Sequence, residues 1–326
     1  MLTKKISLSV LDLCPILSGS SARESLSLVA PLAQYVESLG YERYWIAEHH
    51  DMEGIGSSSP EVLIAHVAQS TKTIRVGSGG IMLPNHSTFH MAEVFRTLAA
   101  LYPGRIDMGL GRAPGSGSRA THALRRNVQL SADNFPEEIE VLEKYFMDEL
   151  PLKAVPVRVD RPEIWMLGSS DFGARLAAHK GLPYAFAQHF SGLPAIDVIN
   201  IYNKNFRPGI YLERPLPMMA CHIICAETDQ EAQELALSSD LSFALFFKTG
   251  KNNPLPSVAE ARAYSLSEME REHLRASFPK FVGSPQTIKN LLAPYTEAGI
   301  NHYMILSMIH DQEARKKSYA LLMENL

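Results

Sequence analysis

Short β-branched or apolar runs alternate with longer segments of helical spacing, and this pattern predicts an α/β fold, a (β/α)8 TIM barrel. Eight candidate strands are present, the number that such a barrel requires. They comprise residues 6–13, 43–48, 75–83, 105–111, 164–168, 183–188, 217–226 and 302–309. Because α/β barrels often exceed about 200 residues as one unit, we predict a single domain over residues 1–326.

The segments between these strands have the apolar spacing of packed helices. In residues 26–39, apolar side chains recur every three or four positions, and the stripe stops at Gly40, a common helix terminator. Pro31 lies within the stripe, so it either kinks the helix or marks its true start. Near the end of the chain, Pro285 is typical of a first helical turn and Gly299 closes the same helix.

Two stretches interrupt this alternation after the fourth and seventh strands. Residues 112–131 are rich in Gly, Ser and Arg, and residues 248–283 contain paired asparagines and several prolines. Loops of this length are usually lids, binding loops or disordered segments. We therefore expect a barrel with insertions after strands four and seven, both of them candidates for closing an active site.

The composition argues against nucleic-acid and membrane partners. Thirty-one Lys and Arg stand against thirty-five Asp and Glu, a formal charge of −4, with no basic block to follow a phosphate backbone. No apolar stretch approaches the ~20 residues of a membrane span, and Asp12 interrupts the only stretch that faintly resembles a secretory signal. Cys14, Cys221 and Cys225 are too few for a disulfide framework. We expect a cytoplasmic protein.

A cluster of histidines and acids follows the second strand, at Glu48, His49, His50 and Asp51. The carboxyl ends of barrel strands form the active-site mouth, so this cluster indicates acid–base chemistry or metal binding. Capping of the strand by His50 and Asp51 is the alternative. We take His49 as the stronger candidate.

Three glycines interrupt the third strand, at Gly77, Gly79 and Gly80. Glycine weakens a strand and is retained where a ligand or another backbone comes close, or where a β-bulge is needed. A flat aromatic ligand over Gly79 and Gly80 explains the pair, and so does a simple bulge.

Two further positions suit an anion. Arg112 follows the fourth strand on a glycine-rich rim, where it can grip a phosphate with two hydrogen bonds or remain an unliganded surface residue. This rim is not a dinucleotide fingerprint, because Pro114 stands where the third glycine is needed. Ser169 and Ser170 lie where the fifth strand turns into a helix, which makes either an anion site or ordinary N-caps.

Histidines also end two other strands, at His189 and His310. Together with His49 and His50 they could hold a divalent metal at one mouth, so a metal-dependent TIM-barrel hydrolase is a rival interpretation. Against it, the first strand supplies no H-x-H pair. Each of these histidines also fits the role of an ordinary rim residue.

In order along nearly the whole chain, these motifs resemble the bacterial luciferase-like monooxygenases, and they are most similar to the short, homodimeric branch of flavin enzymes. The segments that carry the resemblance are Leu39-Gly40-Tyr41, Tyr44-Trp45-Ile46-Ala47-Glu48-His49-His50, residues 77–85, Pro103-Gly104-Arg105-Ile106, Gly111-Arg112-Ala113-Pro114-Gly115, Gly168-Ser169-Ser170 and Gly181-Leu182-Pro183. Where luciferase has a tryptophan after the sixth strand, this chain has Ala187-Gln188-His189. Light emission is therefore not expected.

The resemblance implies a flavin-dependent monooxygenase that uses reduced FMN and O2 to oxygenate a small organic substrate, with a separate flavin reductase as electron source. It makes His49 the catalytic histidine and Glu48 the acid beside the flavin. It also implies a non-prolyl cis peptide beneath the flavin ring. The cofactor-binding residues that it implies are Gly79, Gly80, Arg112, Leu167, Ser169, Ser170 and Gly173.

Relatives within the same fold use the deazaflavin F420, which is the alternative cofactor. A third possibility is a barrel that stores or senses flavin without turnover. The family also implies a homodimer formed through the second and third helices, for which apolar residues such as Ile64, Val67 and Ala68 are candidates. The sequence does not identify the organic substrate.

Overall fold

In a computed structural model, which describes residues 6–113, 115, 117–124 and 133–326, parallel strands form a closed (β/α)8 barrel. The strands follow the order β6-β5-β4-β3-β2-β1-β9-β7, and β6 also pairs with β7, which closes the cylinder. The strands are β1 (Ser7–Asp12), β2 (Arg43–Ile46), β3 (Arg75–Met82), β4 (Ile106–Gly111), β5 (Glu163–Gly168), β6 (Tyr184–Ala187), β7 (Pro217–Cys225), β8 (Lys280–Gly283) and β9 (His302–Leu306). The eight predicted strands correspond to β1–β7 and β9, so the predicted fold is confirmed.

The helices pack on the outside of this barrel. Within the described residues they span Ala22–Ser27, Val29–Leu39, Pro60–Ser70, Thr88–Leu101, Ser118–Leu124, Phe135–Phe146, Asp171–Lys180, Ala195–Asn205, Asp229–Thr249, Val258–Ala263, Glu268–Ser277, Pro285–Glu297 and Gln312–Asn325. Pro31 is the third residue of its helix and therefore marks the start of that helix. Gly40 and Gly299 both adopt a φ of 92°, the left-handed conformation that favours glycine after a helix. None of the described helices is both long and apolar enough to span a bilayer.

The segment 248–283 was predicted as a long loop, and the structure corrects this. It contains the helices Val258–Ala263 and Glu268–Ser277. It also contains the strand β8, which pairs with the carboxyl-terminal end of β7. Both helices begin with a capping box, a serine whose partner is the glutamate three residues later. These boxes are readable in the sequence, although prolines and asparagines around them obscure the helical pattern.

The other insertion, 112–131, also contains regular structure. The helix Ser118–Leu124 lies within it, while residues 114, 116 and 125–132 are outside the described part of the chain. Part of the predicted loop, including Pro114, is therefore not described.

Side chains fill the inside of the barrel beneath its carboxyl mouth. The rings of Trp45 and Trp165 meet edge to face with centroids 5.3 Å apart, and Leu11 and Met304 pack in the same cluster. All four are almost fully buried, and burying such large apolar side chains stabilises the fold by about 1.5–3 kcal/mol each. This layer supports whatever lies above it at the mouth.

A charged cluster occupies the opposite, amino-terminal face. The buried carboxylate of Asp107 accepts hydrogen bonds from Arg43 at 2.7 Å and from the Trp45 indole at 2.9 Å, while Arg75 donates to its other oxygen. His302 lies close by, with its Nε2 atom 2.8 Å from the hydroxyl of Ser9. Burial, reinforced by the positive charge of Arg43, lowers the pKa of His302 to about 3.

The titration of His302 predicts a pH-dependent stability. Because its folded pKa lies below the usual value of about 6.5, this histidine stabilises the fold fully above pH 6.5 and progressively less as the pH falls toward 3. Between pH 7 and pH 5, the loss attributable to this side chain is about 2 kcal/mol. We expect the free energy of unfolding, measured in urea, to fall between pH 7 and pH 5 by about 2 kcal/mol less in the His302→Gln variant than in the parent.

The exposed His179 provides the matched control, and His179→Gln should retain the parent's pH dependence. If His302→Gln and the parent lose equal stability between pH 7 and pH 5, the environment assigned to His302 is wrong.

Candidate active site

A cavity of about 410 Å³ opens at the carboxyl end of the barrel strands. Its volume lies in the range of small-molecule sites, and its lining is mostly apolar with a few polar groups. The lining includes every sequence-predicted site residue, namely Glu48, His49, Gly79, Gly80, Arg112, Leu167, Ser169, Ser170 and Gly173. Residues from four predicted motifs therefore meet in one place.

The glycine pair of β3 forms part of the cavity wall. The Gly79–Gly80 peptide bond is cis, as the resemblance implied, and the pairing of β3 with β4 shifts register between Ser78 and Ile81. A Cβ atom on Gly79 would lie 2.6 Å from Leu11, and one on Gly80 would lie 2.8 Å from the carbonyl of Gly109. Gly79 and Gly80 therefore form a β-bulge and also face the cavity. The Gly109 backbone therefore requires glycine at position 80, whereas a side chain at position 79 would have to displace the end of Leu11.

Glu48 connects the ends of two strands through its buried carboxylate. One oxygen accepts a hydrogen bond from the amide of Met82 at 2.8 Å. The other accepts from His50 at 2.8 Å, from His86 at 2.9 Å and from the Asn85 amide at 3.2 Å. Burial by itself would raise the pKa of Glu48, but these donors outweigh it and hold the pKa at about 2. Glu48 is therefore an ionised carboxylate at neutral pH.

His49 follows Glu48 and lies at the cavity wall. Its Nδ1 atom is 3.2 Å from the carbonyl oxygen of Gly115, which can only accept, so Nδ1 carries the hydrogen and Nε2 keeps its lone pair. Gly115 has a φ of 62°, and a Cβ there would lie 2.8 Å from the Glu48 carbonyl. Burial lowers the pKa of His49, which favours the neutral imidazole. A neutral imidazole with a free lone pair can act as a base.

His189 supplies a second imidazole to the cavity. Its Nδ1 atom lies 3.2 Å from the carbonyl of Ala220, and the ring meets Phe190 edge to face at 4.5 Å. Burial, together with the nearby His49, lowers the pKa of His189 to about 4. Sequence reasoning placed this histidine on the rim but assigned it no role.

Arg112 lies at the other end of the cavity, beside the start of the helix Asp171–Lys180. Its guanidinium carbon lies 4.1 Å from the ring centroid of Phe172, a cation–π contact that holds an exposed arginine over this helix end. Phe172 was not predicted from the sequence. Its contact with Arg112 brings the two predicted anion-binding motifs together.

The helix end itself presents backbone amides to the cavity. Ser170 is the N-cap residue, yet its hydroxyl makes no capping hydrogen bond within the part of the chain described here. Ser170 is therefore an N-cap by position, but its side chain does not supply the usual capping bond among the described residues. Gly173 packs closely on the strand before it, since a Cβ there would lie 3.5 Å from both Gly168 and the Leu167 carbonyl. Free amides at a helix start favour an anion.

The histidines considered for a metal site do not converge. His50 donates to Glu48, and His310 has its Nε2 atom 3.2 Å from the carbonyl of Ser18, outside the cavity lining. Counting only described residues, no group of three or more His, Cys, Asp or Glu is placed to hold a metal ion. The donor geometry gives no support to the hydrolase alternative.

The chain between β7 and β8 provides a wall that the sequence did not reveal. Phe243 and Phe246 on the helix Asp229–Thr249 line the cavity, as does Phe278, which follows the helix Glu268–Ser277. The rings of Phe243 and Phe278 stack with centroids 4.4 Å apart and planes 16° from parallel. The run from Ser242 to Phe247 contains three phenylalanines, and this was the available signal. From the segment 248–283, Asn252 and Phe278 reach the cavity, so closure of the site by this segment stays a prediction.

Known proteins share this architecture along nearly the whole chain. A model of the luciferase-like monooxygenase family matches residues 8–302. A protein from Escherichia coli strain K12 named luciferase-like monooxygenase is 40% identical over 329 residues, which cover 99% of this chain and 98% of the relative. The crystal structure of apo-MsnO8 has a TM-score of 0.91 and 36% identity, with 98% of both chains covered.

A more distant structure shares the fold. It is the oxygenating constituent of 3,6-diketocamphane monooxygenase from Pseudomonas putida, in complex with FMN, with a TM-score of 0.72 and 18% identity over 98% of this chain and 97% of that one. Because the family model and the E. coli relative both span nearly the whole sequence, the chain belongs to the luciferase-like monooxygenase family.

Proposed function

We propose that this protein is an FMN-dependent monooxygenase that uses reduced FMN and O2 to oxygenate a small organic substrate. The observation that carries the proposal is one cavity with three parts, a glycine floor at Gly79–Gly80, an imidazole at His49 and an anion site at Arg112. When bound, reduced FMN would supply the electrons with which O2 is activated. The protein's residues bind, orient and shield the reactants.

The shape and charge of the cavity fit a flavin mononucleotide. The pair Gly79 and Gly80 exposes backbone without side chains, which suits a planar ring. Arg112 and the free amides after Ser170 suit the phosphate, with Leu167, Ser169 and Gly173 lining the same end. F420 is the alternative cofactor, and direct titration distinguishes the two.

The carboxylate of Asp171, which lies near the proposed phosphate site, is compatible with phosphate binding there. Asp171 opens the helix, and its carboxylate pairs with Arg175 at 3.1 Å, one turn further along. The two charges offset each other, so Arg112 and the helix amides determine the sign of the field at the cavity end.

We assign His49 the movement of a proton between the bound reactants and the protein. Its Nε2 lone pair is available because Nδ1 donates to Gly115, and its lowered pKa keeps the ring neutral near pH 7. A base of this kind contributes about 10²–10⁴-fold in rate. We assign Glu48 a positioning role, because its ionised carboxylate already accepts four hydrogen bonds.

The surroundings of the site favour oxygenation of a substrate over the unproductive reduction of O2 to hydrogen peroxide. Phenylalanine, methionine and leucine side chains make up much of the lining, so water is disfavoured where the substrate would bind. The sequence has no nicotinamide-binding fingerprint, so we propose that a separate flavin reductase supplies the reduced cofactor. Three buried free cysteines fit the reducing cytoplasm in which such a reductase would operate.

We also propose a homodimer, but the contact residues differ from those expected from the sequence. Ile64, Val67 and Ala68 are buried in the barrel's own core and are not available to a partner. Val62 and Leu101, on the helices Pro60–Ser70 and Thr88–Leu101, are 63% and 62% exposed and offer apolar contacts instead. Light scattering should give twice the chain mass of 36.1 kDa, and a monomer mass would contradict this proposal.

Replacing Arg112 tests the phosphate site. Calorimetric titration with FMN should give a dissociation constant at least tenfold weaker for Arg112→Ala than for the parent, since a charged hydrogen bond to phosphate contributes about 1.5–3 kcal/mol. Riboflavin, which lacks the phosphate, should bind parent and variant equally. F420 is titrated in parallel.

The control is Arg214→Ala, an exposed arginine that precedes β7 and lies outside the cavity lining. It should bind FMN within about threefold of the parent. Saturable binding of F420 with none of FMN would overturn the cofactor assignment, and binding of neither would overturn the proposed function.

Replacing His49 tests the base. His49→Ala should bind FMN with nearly unchanged affinity, while stopped-flow traces should show O2 consumption by the reduced, FMN-loaded protein slowed roughly 10²-fold or more. His179→Ala should behave like the parent because His179 is exposed and remote from the cavity lining. Identical traces for His49→Ala and the parent would show that His49 is not the base.

A further inference from the structure

We infer that the site takes an uncharged, largely aromatic substrate whose hydroxyl group donates a hydrogen bond to His189. This inference names the substrate class for the proposed function and rests on it. It follows from the division of the cavity into two unlike halves and from the protonation pattern of one imidazole.

The aromatic half lies across the barrel from the glycine floor. Gly79 and Gly80 lie on β3, and Arg112 and Ser170 follow β4 and β5, whereas Phe243, Phe246 and Phe278 come from the segment between β7 and β8. In the closed strand order, β7 lies between β6 and β9 and is four strands from β3 in either direction. A cofactor with its ring on β3 and its phosphate beyond β5 therefore leaves the phenylalanine wall for the substrate.

Among the residues that the structure describes, this wall includes no charged side chain that would neutralise a charged substrate. Its polar side chains are those of Ser242 and Asn252, and both are neutral. The ionised Glu48 is fully occupied by its four donors, and Arg112 belongs to the other end. A carboxylate or ammonium group placed here would lose its hydration without gaining a partner. Aromatic rings, in contrast, stack well on the Phe243–Phe278 pair.

His189, which follows β6 and lines the same cavity, adds one directional requirement. The carbonyl of Ala220 accepts from Nδ1 at 3.2 Å, so the hydrogen is on Nδ1 and Nε2 is an acceptor. Contact with the Phe190 ring at 4.5 Å limits the orientations of the imidazole. Burial keeps this ring neutral at pH 7, so it attracts a donor such as a hydroxyl and not an anion.

The ring N–H of a flavin is the competing donor for the same Nε2 atom. Distinguishing the two requires FMN affinity and substrate affinity to be measured separately. Three probes of one shape serve this purpose, namely 2-naphthol, its ether 2-methoxynaphthalene and the anion 2-naphthoate. The naphthol is neutral at pH 7 and is the only one of the three with a hydroxyl donor.

The experiment titrates each probe into the protein loaded with oxidised FMN, and again into the protein without FMN, by calorimetry at pH 7. We expect 2-naphthol to bind about fivefold to tenfold more tightly than the ether, as one hydrogen bond allows. We expect 2-naphthoate to bind at least 50-fold more weakly than 2-naphthol. The His189→Phe variant should lose the preference for naphthol over the ether and keep its FMN affinity.

Two further variants complete the test. His189→Gln retains an acceptor oxygen and should restore part of the preference, while His179→Phe, an exchange at an exposed histidine, should leave it unchanged. Tight binding of 2-naphthoate, or an unchanged naphthol preference in His189→Phe, would overturn the inference. So would a loss of FMN affinity in His189→Phe, because the acceptor would then serve the flavin. Failure of the parent to bind FMN would contradict the proposed function instead, and the titrations without FMN would still decide the substrate class.

Discussion

The carboxylate of Glu48 is the interaction on which the rest of the site depends. It lies just beyond β2 and binds the amide of Met82 at the end of β3, together with His50, His86 and Asn85. A buried charge of this kind is stable only when it is fully paired, and here every partner lies at the barrel mouth. The carboxylate thus fixes the ends of two adjacent strands, which set the positions of His49 and of the glycine floor.

Because the strand ends are fixed, Gly79 and Gly80 form a rigid surface on which a ligand can bind. Gly109 lies behind Gly80, so no side chain fits there, and Leu11 and Trp45 lie close behind Gly79, where a side chain would have to displace the end of Leu11. The result is a flat stretch of backbone above a layer of packed tryptophans. At one end of this surface Arg112 and helix amides favour negative charge, and at the other phenylalanines exclude water. The difference between the two ends orients a ligand that is anionic at one end and apolar at the other.

The parts of the structure that local patterns encode were predictable. The eight barrel strands, the helix ends at Gly40 and Gly299, and the meeting of Glu48–His49 with Gly79–Gly80 follow from sequence motifs and parallel-strand geometry. The partners of Glu48 were not, because Met82 and His86 are 34 and 38 residues away and only the fold brings them near. The strand β8 was missed because it has four residues and pairs at the carboxyl-terminal end of β7. The aromatic wall was missed with it.

The most direct test of this account is a crystal structure of the protein soaked with FMN. The account predicts density for the planar ring within about 4 Å of the Gly79–Gly80 backbone, at van der Waals contact. It also predicts a phosphate within about 3.2 Å of the Arg112 guanidinium and of an amide at the start of the helix Asp171–Lys180. A ring bound elsewhere, or a phosphate that contacts neither group, would contradict it.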